Sequence, residues 1–306
     1  MIALIITCPL AILFFFWSLL YFKMYQLNGY KMAPFLNDVL LFHFALGDKN
    51  KIKWTKRMVR FSVLYFLISF GLIFVVLYFV PSVALIVLNI VVLFLLAPLL
   101  VMIVHFIILP FENLVKLCYI KRAKSKLGKK KIVKIGITGS YGKTSTKNIL
   151  THILEKQYKV CVTPLNYNTE MGITKTILEK LDDHDIFVAE MGARHRNDIK
   201  KVASIVKPDI AIITTIGKAH LESFGSLSEI ENTKYELVES LPASGQAIFN
   251  GDSTGSNKLY NRFKGNKFLT NREKSFAFAK NIECSESGSS FELVLDGKSN
   301  KVKTRL

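Results

Sequence analysis

The run Ile137-Thr138-Gly139-Ser140-Tyr141-Gly142-Lys143-Thr144 sits between a short apolar segment and an amphipathic one whose apolar positions are Ile149, Leu150, Ile153 and Leu154. Strand, glycine-rich turn and helix in that order suit phosphate binding. Glycines let backbone N–H groups approach phosphate oxygens, and a helix N-terminus adds partial positive charge. Lys143 offsets charge on the β and γ oxygens, and the Thr144 hydroxyl can hold Mg²⁺. Gly139, Ser140, Gly142, Lys143, Thr144 and Ser145 are therefore read as a nucleotide site. Its G-x-x-G-K-T spacing is the short form, since Ile137 stands where the longer loop has its first glycine.

Three further residues carry chemistry. Glu190 ends the run Ile186-Phe187-Val188-Ala189, and His220 follows the run Ile210 to Ile213. Alone, a glutamate there caps a helix and a histidine is a hydrogen-bonded core residue. With the phosphate loop at the same carboxyl ends of strands, where open α/β sheets collect ligands, the two look like Mg²⁺ ligands. Lys234 shares the spacing of Ile230, Leu237 and Leu241, so a lysine occupies the apolar stripe of its own helix. A snorkelling stem explains that as well as function does. Burial there lowers the pKa of an amine.

The elements that must position these residues read as α/β: a P-loop parallel sheet with flanking helices, preceded by three transmembrane helices. Strands are expected over 132–138, 160–163, 185–190, 209–215 and 246–250, and helices over 143–156, 172–181, 197–206 and 227–241. Asp296-Gly297 marks the turn of a small hairpin, and 251–274, polar and rich in Gly, Ser, Asn and Lys, reads as a loop or irregular insertion.

Half of the 306 residues are hydrophobic, which points to a membrane portion. Apolar stretches at 1–22 and 61–109, the latter a helical hairpin turning at Pro81-Ser82, are long enough to span a bilayer. A basic segment at 23–60 with Lys23, Lys31, Lys49, Lys51, Lys53, Lys56, Arg57 and Arg60, and a basic linker at 110–131, must share one side. By the positive-inside rule that side is the cytosol, so the N-terminus is outside and the domain at 132–306 is cytosolic, in a multi-pass inner-membrane protein. Residues 1–134 hold 17 Lys+Arg against 3 Asp+Glu, so the basic excess belongs to the membrane half, and no nucleic-acid partner is indicated. His105 inside the third span reads as a self-satisfied histidine. The four cysteines lack C-x-x-C spacing, so neither a disulfide framework nor a zinc site is suggested.

With the short loop, five blocks in order resemble the central ATPase domain of the Mur ligases. They are Thr163 through Gly172, Glu190-Met191-Gly192-Ala193, Ala219 through Ser226, Lys234-Tyr235-Glu236 and Asn250-Gly251-Asp252. The likeness is greatest to members that add D-alanyl-D-alanine to a UDP-N-acetylmuramoyl-tripeptide in cell-wall synthesis. The resemblance implies an ATP-dependent carbon–nitrogen ligase in which a carboxylate attacks the γ-phosphate and an amine then attacks the acyl phosphate. It implies catalytic roles for Lys143, Glu190, His220 and Lys234, and two Mg²⁺ ions. Thr144 and Glu190 would hold one ion, His220 and a carbamylated Lys234 the other. It further implies adenine packing near Asn250 and a substrate passage lined by Thr163, Asn166 and Asn168, although turn stabilisation would equally explain the two asparagines. The chain departs from the family pattern at Thr169 and Thr174, where Asn and Pro are usual. Membrane spans stand in place of the small UDP-sugar-binding domain, and the family's C-terminal ligase domain is expected beyond Leu306. Two alternatives stay open: a related ligase acting on another amino-acid or lipid-linked substrate, and a membrane-bound nucleotide-binding scaffold with little catalysis.

Overall fold

The computed structural model describes residues 2–41, 43, 51–79, 82–219, 221–271, 275–286 and 288–304. Lys49, Pro81 and His220, singled out above, lie outside them. The chain divides into two compact units, Met1–Val115 and Lys116–Leu306.

The first unit packs α1 (Ile2–Leu27), α2 (Met32–Leu40), α3 (Lys56–Phe79) and the first part of α4 (Val83–Gly128). Three of these helices are long and apolar enough to cross a membrane by length and composition. Their shared core is aromatic, with Phe22, Tyr25, Phe61 and Tyr65 buried together, while Phe16, Leu67, Phe74 and Leu95 face outward. Polar groups inside pair with one another: the Ser18 hydroxyl donates to Tyr65 Oη at 3.2 Å, and Tyr25 Oη bonds His105 Nδ1. His105 is thus a satisfied core residue, as its sequence context suggested. Two segments hold helix that the sequence reading did not assign. The basic segment 23–60 contains α2, and α4 continues through Pro110 to Gly128, so most of the expected linker is helix. Between Pro110 and Gly128 there is no glycine or proline to end the helix.

The second unit is a mixed α/β domain around a nine-stranded sheet in the order β2-β3-β1-β4-β5-β6-β7-β8-β9. The strands are β1 (Val133–Thr138), β2 (Val160–Val162), β3 (Ile186–Glu190), β4 (Ile210–Ile213), β5 (Gln246–Asn250), β6 (Asn266–Thr270), β7 (Ala277–Ser285), β8 (Gly288–Leu295) and β9 (Lys298–Thr304). Pairing is parallel from β2 across to β7 and antiparallel from β7 to β9. The helices are α5 (Lys143–Leu154), α6 (Glu170–Lys180), α7 (Asp198–Val206), α8 (Leu221–Phe224), α9 (Leu227–Glu239) and α10 (Thr254–Arg262).

Alternation along the strands sorts the core into two layers. Ile135, Ile137, Ile186 and Val188 bury against Leu150 and Leu154 of α5, while Phe187, Ala189, Ala211 and Ile213 join α7, α9 and the end of α4. On that second face a Cβ at Gly136 would stand 2.8 Å from Leu237 Cδ1, so α9 packs directly on the β1 backbone. The last turns of α4 join this unit through Ile120, Ala123 and Leu127. Lys116 pairs with Glu170 at 2.6 Å and Lys126 Nζ donates to Leu178 O at 3.0 Å.

The segment 251–274 is not an irregular loop among its described residues. It holds α10, capped by Ser253, whose hydroxyl accepts from Ser256 N at 3.3 Å, and β6, in parallel register with β5. Its helix is buried through Gly255, Ser256 and Leu259, and with one large apolar residue among the three no apolar stripe shows. The hairpin at Asp296-Gly297 forms, with positive φ of 48° and 76°, but β7 lengthens it into a meander.

Candidate functional site

The connection from β1 to β2 and β3 runs to one side of the sheet and the later strands lie on the other, so β1 stands at the topological switch, where a crevice opens beyond the carboxyl ends. The loop after β1 fills it. Gly142 caps α5 in the left-handed conformation, φ 77°. A Cβ on Gly139 would lie 1.9 Å from Thr214 Oγ1, so only glycine lets the loop pass under the end of β4. The loop is pinned there: Ser140 N donates to Thr215 O at 2.7 Å, Ser140 Oγ to Gly217 O at 2.9 Å, and Thr214 Oγ1 to Tyr141 O at 2.7 Å. Thr214 and Thr215 were not anticipated; adjacent threonines at a strand end were the available signal.

Lys143 folds back over this loop, its ammonium donating to the carbonyls of Gly139 at 2.9 Å and Ser140 at 3.0 Å. Burial lowers its pKa and the Glu190 carboxylate raises it in part. Thr144 Oγ1 donates to Glu190 Oε2 at 2.9 Å, so the two expected Mg²⁺ ligands meet across β1 and β3, and Ser145 stands exposed beside them. Glu190 is 3 % exposed. Its Oε1 accepts from Asn168 Nδ2 at 3.1 Å, and its backbone N–H donates to Thr163 Oγ1 at 3.0 Å. Thr163 and Asn168 thus join the site. Asn166 lies on the same loop with its side chain exposed.

One hydroxyl and one carboxylate beside a lysine fit Mg²⁺, which keeps most of its octahedral shell as water and phosphate oxygen. Among the described residues no three His, Cys, Asp or Glu side chains converge, so no cage of such ligands is formed there.

Lys234 is buried as its spacing predicted, with Ile230 and Leu237 beside it and the Phe224 ring centroid 5.9 Å from Nζ. Desolvation, with help from the nearby Lys143 charge, pushes its pKa down to about 8, against the opposing pull of Asp198 and Glu236. No carboxylate of the described residues lies within 4.0 Å of it. Asn250, at the end of β5, donates to Thr215 Oγ1 at 3.1 Å, which ties the β5 turn to the phosphate-loop edge. Beyond β3 and β4, Arg194, Lys218, Leu221, Glu222 and Ser223 line an open cavity of about 510 Å³.

Sequence reasoning misjudged the inner face of α5 and so missed Lys147. Ile149 and Ile153 are exposed, and the buried residues are Lys147 and Thr151. The signal was the one used for Lys234, a lysine in line with Leu150 and Leu154.

A glycine-rich loop at a sheet switch, a lysine over it and a hydroxyl–carboxylate pair beside it define a P-loop nucleotide-binding domain. The profile of the Mur ligase middle domain matches residues 137–306, and the chain belongs to the Mur ligase family. The UDP-N-acetylmuramoyl-tripeptide–D-alanyl-D-alanine ligase of Synechocystis sp. is 40 % identical over 136 residues, covering 44 % of this chain and 30 % of that protein. Its Escherichia coli K12 counterpart is 33 % identical over 168 residues, covering 52 % and 36 %. The MurF ligase of Thermotoga maritima, solved in complex with ADP, superposes with a TM-score of 0.58 at 32 % identity, covering 61 % of this chain and 44 % of that one. MurF of Acinetobacter baumannii gives 0.59 at 28 % identity, covering 62 % and 42 %. The chain spans about a third of the length of these two curated relatives.

Proposed function

We propose that this chain supplies the ATP-binding part of a membrane-attached ligase that joins D-alanyl-D-alanine to a UDP-N-acetylmuramoyl-tripeptide. The observation that carries the reading is the 2.9 Å contact of Thr144 with Glu190 beside Lys143 at the switch of the sheet. Around it the chain resembles ligases of that substrate class.

Phosphoryl transfer from ATP to a carboxylate brings two anions together, so the site must neutralise charge and exclude water. Backbone N–H groups of Gly142 to Thr144, at the start of α5, receive the phosphates, and Lys143 exchanges its two loop carbonyls for β and γ oxygens. Thr144 and Glu190 would hold Mg²⁺, which when bound offsets charge on the transferring phosphoryl group. Thr163, fully buried, and Asn168 orient Glu190, and Asn168 borders the approach of the acyl carboxylate. Arg194 and Lys218, facing the cavity beyond β3 and β4, suit an anionic substrate. The carboxylate oxygen attacks phosphorus and ADP leaves; the amine then attacks the acyl carbon, and inorganic phosphate departs with the former carboxylate oxygen.

Lys234 is suited to become a carbamate, with His220 as its expected companion at a second Mg²⁺. Carbamate formation consumes a neutral amine and CO₂ and releases a proton. With its pKa at about 8 rather than 10.5, about a tenth of the Lys234 amines are neutral at pH 7, against roughly 0.03 % ordinarily. The three long apolar helices support attachment to the inner membrane with the ATP site on the cytosolic side. The test is ADP release by protein carrying this chain. It should require both the tripeptide nucleotide and D-alanyl-D-alanine; release independent of both would support a nucleotide-binding scaffold instead.

A further inference from the structure

Lys147 stands one turn beyond Lys143 on α5, and no step above uses it. Its side chain is 2 % exposed. An ammonium has three protons to donate, and three acceptors surround this one: Thr163 O at 3.0 Å, Leu165 O at 3.0 Å and Glu190 Oε2 at 3.3 Å. With its donors taken, Lys147 has none left for a phosphate and is no ligand of the nucleotide.

It joins three pieces of the site instead: the helix that begins at the phosphate loop, the loop after β2, and the carboxylate that ends β3. Leu165 has a φ of 43°, a conformation that a branched residue keeps only when its surroundings hold it, and its carbonyl is one of the three acceptors. Farther along the loop, Asn168 bonds Glu190 through its side chain and accepts from Gly192 N at 2.9 Å through its carbonyl. A buried ion pair is weak evidence for stability, because apolar side chains of the same volume usually serve as well. Geometry is the stronger reason to keep one at a catalytic carboxylate.

We propose that Lys147 is a positioning residue that fixes the Glu190 carboxylate toward Thr144 and fastens the Thr163–Asn168 loop to it. One ammonium then sets both the Mg²⁺-holding pair and the border of the acyl-substrate approach. The inference rests on the reading of Glu190 as a Mg²⁺ ligand.

The test measures binding of a non-hydrolysable ATP analogue to the full chain in detergent, in EDTA and across a Mg²⁺ titration. Wild type should gain affinity with Mg²⁺, and Glu190→Gln should lose that gain. Lys147→Met should bind the analogue in EDTA within about twofold of wild type, because Lys143 and the loop amides are untouched. Its Mg²⁺ requirement should rise about tenfold or more, as when a residue that orients a metal ligand is removed. If the methionine variant does not fold, Lys147→Gln, which keeps an N–H donor without the charge, carries the same expectation. Wild-type Mg²⁺ dependence in the Lys147 variant would overturn the positioning role and leave the Glu190 assignment standing. Equal loss in EDTA and in Mg²⁺ would overturn it too, since the residue would then merely support the fold. Unchanged Mg²⁺ dependence in Glu190→Gln would overturn the underlying reading itself.

Discussion

Replacing Lys234 by methionine should make the α/β unit more stable and the ligase inactive. The side chains have similar length, so packing beside Ile230, Leu237 and Phe224 is largely kept. What disappears is the charge penalty. A folded pKa of about 8 against an ordinary 10.5 corresponds to about 3 kcal/mol, at roughly 1.4 kcal/mol per unit. Between those two values the unfolded chain binds more protons than the folded one, so wild-type stability rises with pH across that window. Below about pH 8 both states carry the proton and the folded state bears the full burial cost. The methionine variant lacks this dependence. At pH 7 it should therefore exceed wild type by up to about 3 kcal/mol, and above pH 10.5 the difference should vanish. For a unit of this size that is a rise in melting temperature of roughly 6–12 °C. Urea unfolding of the full chain read by pulse proteolysis, at several pH values from 7 to 10.5, measures the difference directly, because other titrating groups cancel between the two proteins. Added bicarbonate should narrow the gap by stabilising only the wild type, as a ligand of the folded state does. A methionine variant less stable than wild type at pH 7, with the same pH profile, would refute the assignment of Lys234 as a buried, neutral-prone amine.

Three other outcomes follow. Lys143→Ala should weaken ATP binding about 10- to 100-fold, the value of charge-assisted bonds to the β and γ oxygens; equilibrium binding checks this, and unchanged affinity would remove the loop as the site. Gly192→Ala puts a Cβ 2.7 Å from Asn168 Cγ and should push that amide off Glu190. Nucleotide affinity should then survive while ligation slows by about tenfold or more, a result steady-state kinetics can separate. A Ser82→Cys protein with its native cysteines replaced by serine should react with an impermeant thiol reagent on intact cells, and labelling only after lysis would reverse the proposed orientation.

The chemistry was more legible than the architecture around it. Gly139, Lys143 and Thr144 declare themselves because backbone approach and phosphate charge admit few residue types, and Lys234 stood out as a cation in an apolar stripe. The first five strands were visible as runs of Ile, Val and Ala because a parallel sheet is covered on both faces. Beyond them β6 adds a further parallel strand and the sheet then becomes an antiparallel meander with much of β7 and β9 exposed, and polar strands such as Ala277–Ser285 lack that pattern. α10 escaped for a related reason, being buried through Gly255, Ser256 and Leu259. Lys147 escaped because Ile149 and Ile153 mark an apolar face that turns out to be exposed, while the inner face carries Thr151 and Lys147, and the partners of that lysine come from the loop after β2 and the end of β3. Such contacts join residues distant in sequence, and local spacing does not encode them.

The central claim is that the acyl carboxylate is phosphorylated at this site. Ligation by protein carrying this chain, with ¹⁸O in the reacting carboxylate of the tripeptide nucleotide, tests it directly. Transfer of one ¹⁸O per turnover into inorganic phosphate is the predicted result. Amide formation with ADP release but unlabelled phosphate would contradict an acyl-phosphate route.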